Sequence, residues 1–112
     1  MPDSPPERAA ILAALRIAQA ERANRSSTLL SDDYIDGAIA ALTWALGEAD
    51  SPLTDRVGGR PPSTSELRQE AAIAYEVITG QRHDVDREFA IGAENTLVWL
   101  YSGHPRMTPF SA

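Results

Sequence analysis

Two stretches of this chain repeat one pattern 55 residues apart. Asp33-Tyr34-x-x-Gly37-Ala38-x-x-x-Leu42-x-Trp44 aligns with Glu88-Phe89-x-x-Gly92-Ala93-x-x-x-Leu97-x-Trp99. The chain has two Trp in all, and both fall in register. A weaker alignment, at an offset of 56, places Pro5-Pro6 over Pro61-Pro62 and Ile17-Ala18 over Ile73-Ala74. Self-similarity at such a period marks a repeated supersecondary unit that cannot bury its apolar face alone. Two units are too few for a solenoid, so they are expected to close on each other.

The unit is a helical hairpin. Helix 1 is expected from Pro5 to about Asn24, with Ser4 as N-cap and Pro5 at the first position, where a missing N–H costs nothing. Its stripe is Ile11, Leu15, Ala18 and Arg22, widened by Leu12. Helix 2 is expected over Asp32–Glu48, capped by Ser31, with Asp32 and Asp33 favoured by the dipole of the first turn. Ile35, Ala38, Ile39, Leu42, Ala45 and Leu46 make a broad apolar face. Helix 3 is expected over Thr64–Thr79, because Ser63-Thr64-Ser65-Glu66 spells a capping box and Gly80 stands at the C′ position. Helix 4 is expected from about Val85 to Ser102, capped by Asp84 and stopped by Gly103 and Pro105. No segment alternates as a strand does. The fold class is therefore all-α, a four-helix bundle-like arrangement of two αα-hairpins, about 1–50 and 57–105, related by pseudo-twofold symmetry. Residues 1–112 make one helical domain with a tail at 106–112, where Met107 and Phe110 suffice to dock weakly. Between the hairpins, 50–62 is punctuated by Pro52, Gly58, Gly59, Pro61 and Pro62, and a loop of that length is expected to be functional or mobile.

Glycine inside a helix costs about 1 kcal/mol relative to Ala, so its recurrence at Gly37 and Gly92 asks for a reason. Tyr34, Gly37, Ala41 and Trp44 share one face, as do Phe89, Gly92, Thr96 and Trp99. Either helices 2 and 4 cross there, or the face is open and Tyr34, Gly37, Trp44, Phe89, Gly92 and Trp99 form an interaction face with the Trp side chains as anchors.

The residue inventory removes several chemistries. There is no Cys, hence no disulfide scaffold, thiolate metal site or thiol nucleophile. All ten basic residues are Arg, which removes Lys Schiff-base chemistry. The formal charge of −6 disfavours phosphate backbones, and Arg8, Arg16, Arg22 and Arg25 are scattered around helix 1 instead of forming a stripe. Glu21 stands four residues before Arg25, an i,i+4 pair. Neither a signal peptide nor a spanning segment is legible, so a cytoplasmic location is expected.

His83 with Asp84 and Asp86 lacks a metal-ligand spacing. Glu66 and Glu70 read as a solvated row, without the Glu-Glu-x-x-Glu spacing of the all-α nucleotide pyrophosphatases. Val57-Gly58-Gly59-Arg60 reads as a turn and not a phosphate loop. No catalytic, cofactor or metal residues are assigned. The general look resembles small helical accessory proteins of phages and of mobile elements from GC-rich bacteria, a likeness of composition and size. The expected function is a non-enzymatic interaction module, a regulator or accessory subunit that binds another protein or itself, without direct contact to nucleic acid or membrane. Two alternatives stand beside it. One is an acidic inhibitor of a nucleic-acid-binding protein. The other is an enzyme with a carboxylate site between helices 3 and 4, drawn from Glu66, Glu70, Glu76 and Glu94.

Overall fold

The computed structural model describes residues 6–23, 31–54 and 58–103. They form four helices, α1 (Arg8–Ala23), α2 (Asp32–Ala45), α3 (Thr64–Ile78) and α4 (Arg87–Ser102), and no strand lies among them. The sequence expectations at Ser4, Pro5, Asn24, Arg25, His104, Pro105, Met107 and Phe110 lie outside the described residues.

The helices begin where capping chemistry starts them. Ser31 accepts the Tyr34 N–H at the head of α2. At α3, Ser63 Oγ accepts the Glu66 N–H at 3.2 Å while Glu66 Oε1 accepts the Ser63 N–H at 3.0 Å, which closes the capping box. At α4 the cap is Asp86, whose Oδ2 accepts the Phe89 N–H, and the helix opens at Arg87. The sequence assigned that cap to Asp84; Asp84 instead receives the guanidinium of Arg82 at 2.6 Å, and Asp86 is the carboxylate three residues before the N–H that needs an acceptor. Gly80 (φ 82°) and Gly103 (φ 69°) follow α3 and α4 in the left-handed region that favours glycine.

The α1–α2 and α3–α4 pairs pack as hairpins, and α2 packs on α4 to join them. The repeat in the sequence recurs in the helix starts and in the buried positions. α1 opens at Arg8 and α3 at Thr64, 56 positions on, while the caps of α2 and α4, Ser31 and Asp86, stand 55 apart. Every buried residue of α2 has a buried counterpart 55 positions on in α4. Ile35 pairs with Ala90, Gly37 with Gly92, Ala38 with Ala93, Ala41 with Thr96, Leu42 with Leu97, Trp44 with Trp99 and Ala45 with Leu100. In α1 and α3 the same holds for Ala14 with Glu70, Leu15 with Ala71 and Ala18 with Ala74.

The two helical glycines make reciprocal close approaches. A Cβ built on Gly37 would overlap the carbonyl oxygen of Phe89 and lie 3.0 Å from the Ala93 nitrogen. A Cβ on Gly92 would overlap the carbonyl oxygen of Tyr34 and lie 2.8 Å from its carbonyl carbon. Each helix thus sets its glycine against the carbonyl three residues before the other's glycine, and the hydrogen in the Cβ direction points at that oxygen. Thr96, fully buried at this crossing, satisfies its hydroxyl on the Gly92 carbonyl at 2.8 Å.

Candidate functional site

The six residues of the sequence-derived interaction face lie at this crossing. Gly37, Trp44, Gly92 and Trp99 are buried, the two Trp at 2% and 7% exposure, and both belong to the central core. Tyr34 and Phe89 are half-buried, and the Tyr34 hydroxyl accepts from Asn95 Nδ2 at 3.0 Å across the helix pair. The Gly and Trp members of the face are thus covered from within the chain, and Tyr34 and Phe89 are covered in part.

Among the acidic residues, Glu70 departs from the sequence reading. It is not part of a solvated row but is fully buried. Its Oε2 accepts the Leu53 N–H at 2.6 Å and the Thr54 N–H at 3.1 Å, and its Oε1 accepts the Thr54 hydroxyl at 2.7 Å. Ser51 and Thr54 hydroxyls share a further bond of 2.9 Å. The carboxyl group therefore holds one end of the inter-hairpin connection against α3. The other end is tied by the Gly58 N–H on Asp50 Oδ1 (2.8 Å) and the Gly59 N–H on the Gly47 carbonyl (3.1 Å). The signal for Glu70 was present in the sequence: it falls between Leu67 and Ala71, Ala74 at helical spacing, inside the apolar stripe.

Glu66 has its own task. The Ser63 backbone N–H, and after it the Arg60 guanidinium at 3.0 and 3.3 Å, pull its carboxyl down to about 2. A carboxyl whose folded pKa lies below its unfolded value, about 4.3, stabilises the fold fully above that value and loses the contribution as pH falls towards 2. The urea midpoint is therefore expected to drop between about pH 4.3 and pH 2, and Glu66→Gln is expected to flatten that limb. An unchanged limb in the variant would remove Glu66 from the account.

Burial raises the carboxyl of half-buried Glu94 on α4. Of the four carboxylates read as an inter-helix site, Glu70 is occupied by the connection and Glu66 by its cap; among the described residues no three His, Asp or Glu come together as a metal site would require. Several other acidic side chains sit in ion pairs. Arg22, at the end of α1, meets Asp36 at 2.9 Å and Asp32 at 3.3 Å on α2.

Among the described residues, depressions open at either end of α3. One, of about 470 Å³, lies at the α3–α4 turn beside Ile78, Arg82, His83 and Arg87. Its arginines are engaged, Arg82 on Asp84 and Arg87 Nε on the Ile78 carbonyl at 3.1 Å. The other, of about 180 Å³, has a mixed lining and sits where α1 and α3 begin. Pro6 and Pro62, Ile11 and Leu67, and Ala45 and Leu100 line it in pairs related by the repeat.

Sequence reasoning missed an apolar surface, exposed among the described residues, on α1. Its inward residues are Ala14, Leu15 and Ala18, and Ala9, Ala10, Ala13, Ile17 and Ala20 face outwards and are exposed, Ile17 at 45%. Attention to the Ile11–Leu15–Ala18 stripe hid it, because alanine satisfies both faces of a helix. No described helix is long and apolar enough to cross a membrane. No protein-family model, no curated protein and no solved structure matches the chain.

Proposed function

We propose that this chain is a small helical interaction module, a regulator or accessory subunit that works by binding protein and performs no chemistry of its own. The observation that carries the reading is the outward face of α1. Position by position, the fold does not require it to be apolar. The residues of α3 that stand 56 positions after Ala10, Ala13, Ile17 and Ala20 are Glu66, Gln69, Ile73 and Glu76, three of them polar. Two helices in equivalent places thus carry different outer surfaces, and the apolar one is the one expected to be covered. The glycine and tryptophan residues serve a different purpose, which is to hold the two hairpins together so that this face is presented on a rigid body.

A photo-crosslinking residue at Ala13, introduced into the full chain and activated in the cell of origin, tests this. The expected result is one discrete crosslinked species, lost when Ile17→Glu is added. Absence of any crosslink from Ala13, in a chain that folds as the parent does by circular dichroism, would sink the reading.

A further inference from the structure

We propose that the partner of the α1 face is a second copy of this chain, bound with the two α1 helices parallel and with Arg16 of each copy paired to Glu21 of the other. The inference rests on the interaction-module reading and names its partner. Ala10, Ala13, Ile17 and Ala20 are spaced three, four and three residues apart on the exposed side of α1. That is the spacing of the a and d positions in a two-helix seam. Ile17, at 45% exposure, stands at an a position and would meet its own equivalent across a twofold axis. The alanines on either side let two backbones approach closely.

The flanking charges select the second copy and its direction. With Ile17 at a, Arg16 falls at g and Glu21 at e of the next heptad, five residues later. In a parallel pair the g residue of one helix faces the e residue five positions on in the other, so the twofold generates two Arg16–Glu21 pairs of opposite sign. An antiparallel pair brings like edges together. Arg16 would then face Arg16 of the partner subunit, a repulsive pair, and Glu21 would have no basic residue of α1 opposite it. The basic edge and the acidic edge of this one helix are therefore complementary to each other in one orientation only. α3 has neither the apolar seam nor this pair of edges, having Ala72 where α1 has Arg16.

A contact made by one helix of 16 residues is about 24 Å long, at the low end of specific interfaces. The association is accordingly expected to be weak and reversible.

Sedimentation equilibrium of the full chain is expected to show a monomer–dimer equilibrium. Ile17→Glu should weaken it at least about tenfold while the thermal melt stays that of the parent, since Ile17 is exposed. Arg16→Glu and Glu21→Arg should each weaken it, and the two together should restore it. Because the chain has no cysteine, Ala13→Cys and Ala20→Cys report direction: in the parallel register each variant alone forms an interchain disulfide under mild oxidation. Crosslinking of Ala10→Cys with Ala20→Cys in a mixture, without self-crosslinking of Ala20→Cys, would place the helices antiparallel and overturn the proposal. So would a chain that remains monomeric at every concentration, or a dimer indifferent to Ile17→Glu. A monomer whose Ala13 crosslinks to a different protein in the cell overturns the second-copy inference and leaves the interaction reading standing; a monomer that crosslinks to nothing sinks both.

Discussion

Glu70→Ala is expected to destabilise the fold by about 3–4 kcal/mol, as measured by urea unfolding. The side chain is fully buried, and its three accepted bonds come from two backbone N–H groups and one hydroxyl. Truncation leaves the buried Leu53 N–H and the half-buried Thr54 N–H without their acceptor, while the Thr54 hydroxyl keeps Ser51 as a partner. Each buried donor without an acceptor costs about 1–3 kcal/mol, and relief from burying the carboxyl group offsets part of the sum. Glu70→Gln keeps the volume and one acceptor but turns an NH2 towards the donors, so it should fall between the two. Amide exchange at Leu53 and Thr54 should accelerate in both variants well beyond that at Leu42 or Leu97. A Glu70→Ala chain within 1 kcal/mol of the parent would show that the connection does not depend on this carboxyl group. The consequence for the architecture is that the two hairpins are held twice, once by the α2–α4 crossing and once by this polar clamp on the segment that joins them.

How much of this the sequence carries differs from feature to feature, for physical reasons. Ser31, Ser63 and Glu66 announce their helix starts because capping is a local interaction, complete within four residues. The α4 cap was misplaced by two residues because Asp84 and Asp86 are both competent, and the choice is made by Arg82, which occupies Asp84. Gly37 and Gly92 announced a close approach, since a helix keeps a glycine only where a side chain is worse than its absence; of the two readings the sequence left open, the structure has α4 filling that space. Glu70 was misread because residue type was given more weight than position, and the partner groups lie 16 and 17 residues away in a connection whose course no local pattern states. The α1 outer face was missed because an alanine-rich helix has no contrast between its sides until packing shows which one is used.

Gly37→Leu and Gly92→Leu are each expected to destabilise by about 2–4 kcal/mol, and by amounts that agree within about 0.5 kcal/mol. The clash lies in the first carbon added, so alanine at either place already meets it. The atom met is a backbone carbonyl oxygen in the middle of a helix, Phe89 for Gly37 and Tyr34 for Gly92, and it has no rotamer through which to move aside. The helices must separate instead, and separation loosens the packing of Trp44, Trp99, Leu42 and Leu97, all buried in the same core. Alanine recovers about 1 kcal/mol of helix propensity, which makes Gly→Ala the milder test and Gly→Leu the stronger one. The reciprocity of the two approaches adds a second requirement. Both substitutions force apart the same pair of backbones, so once the first has opened the crossing the second has less left to open. The double variant should therefore be more stable than the sum of the singles implies, with a coupling of about 1–2 kcal/mol. Strict additivity would mean that the two glycines sit in independent contacts and that their symmetry is superficial. Parental stability in either single variant would mean that the crossing is not closed in solution, which would return Tyr34, Trp44, Phe89 and Trp99 to the surface as a face open to another protein.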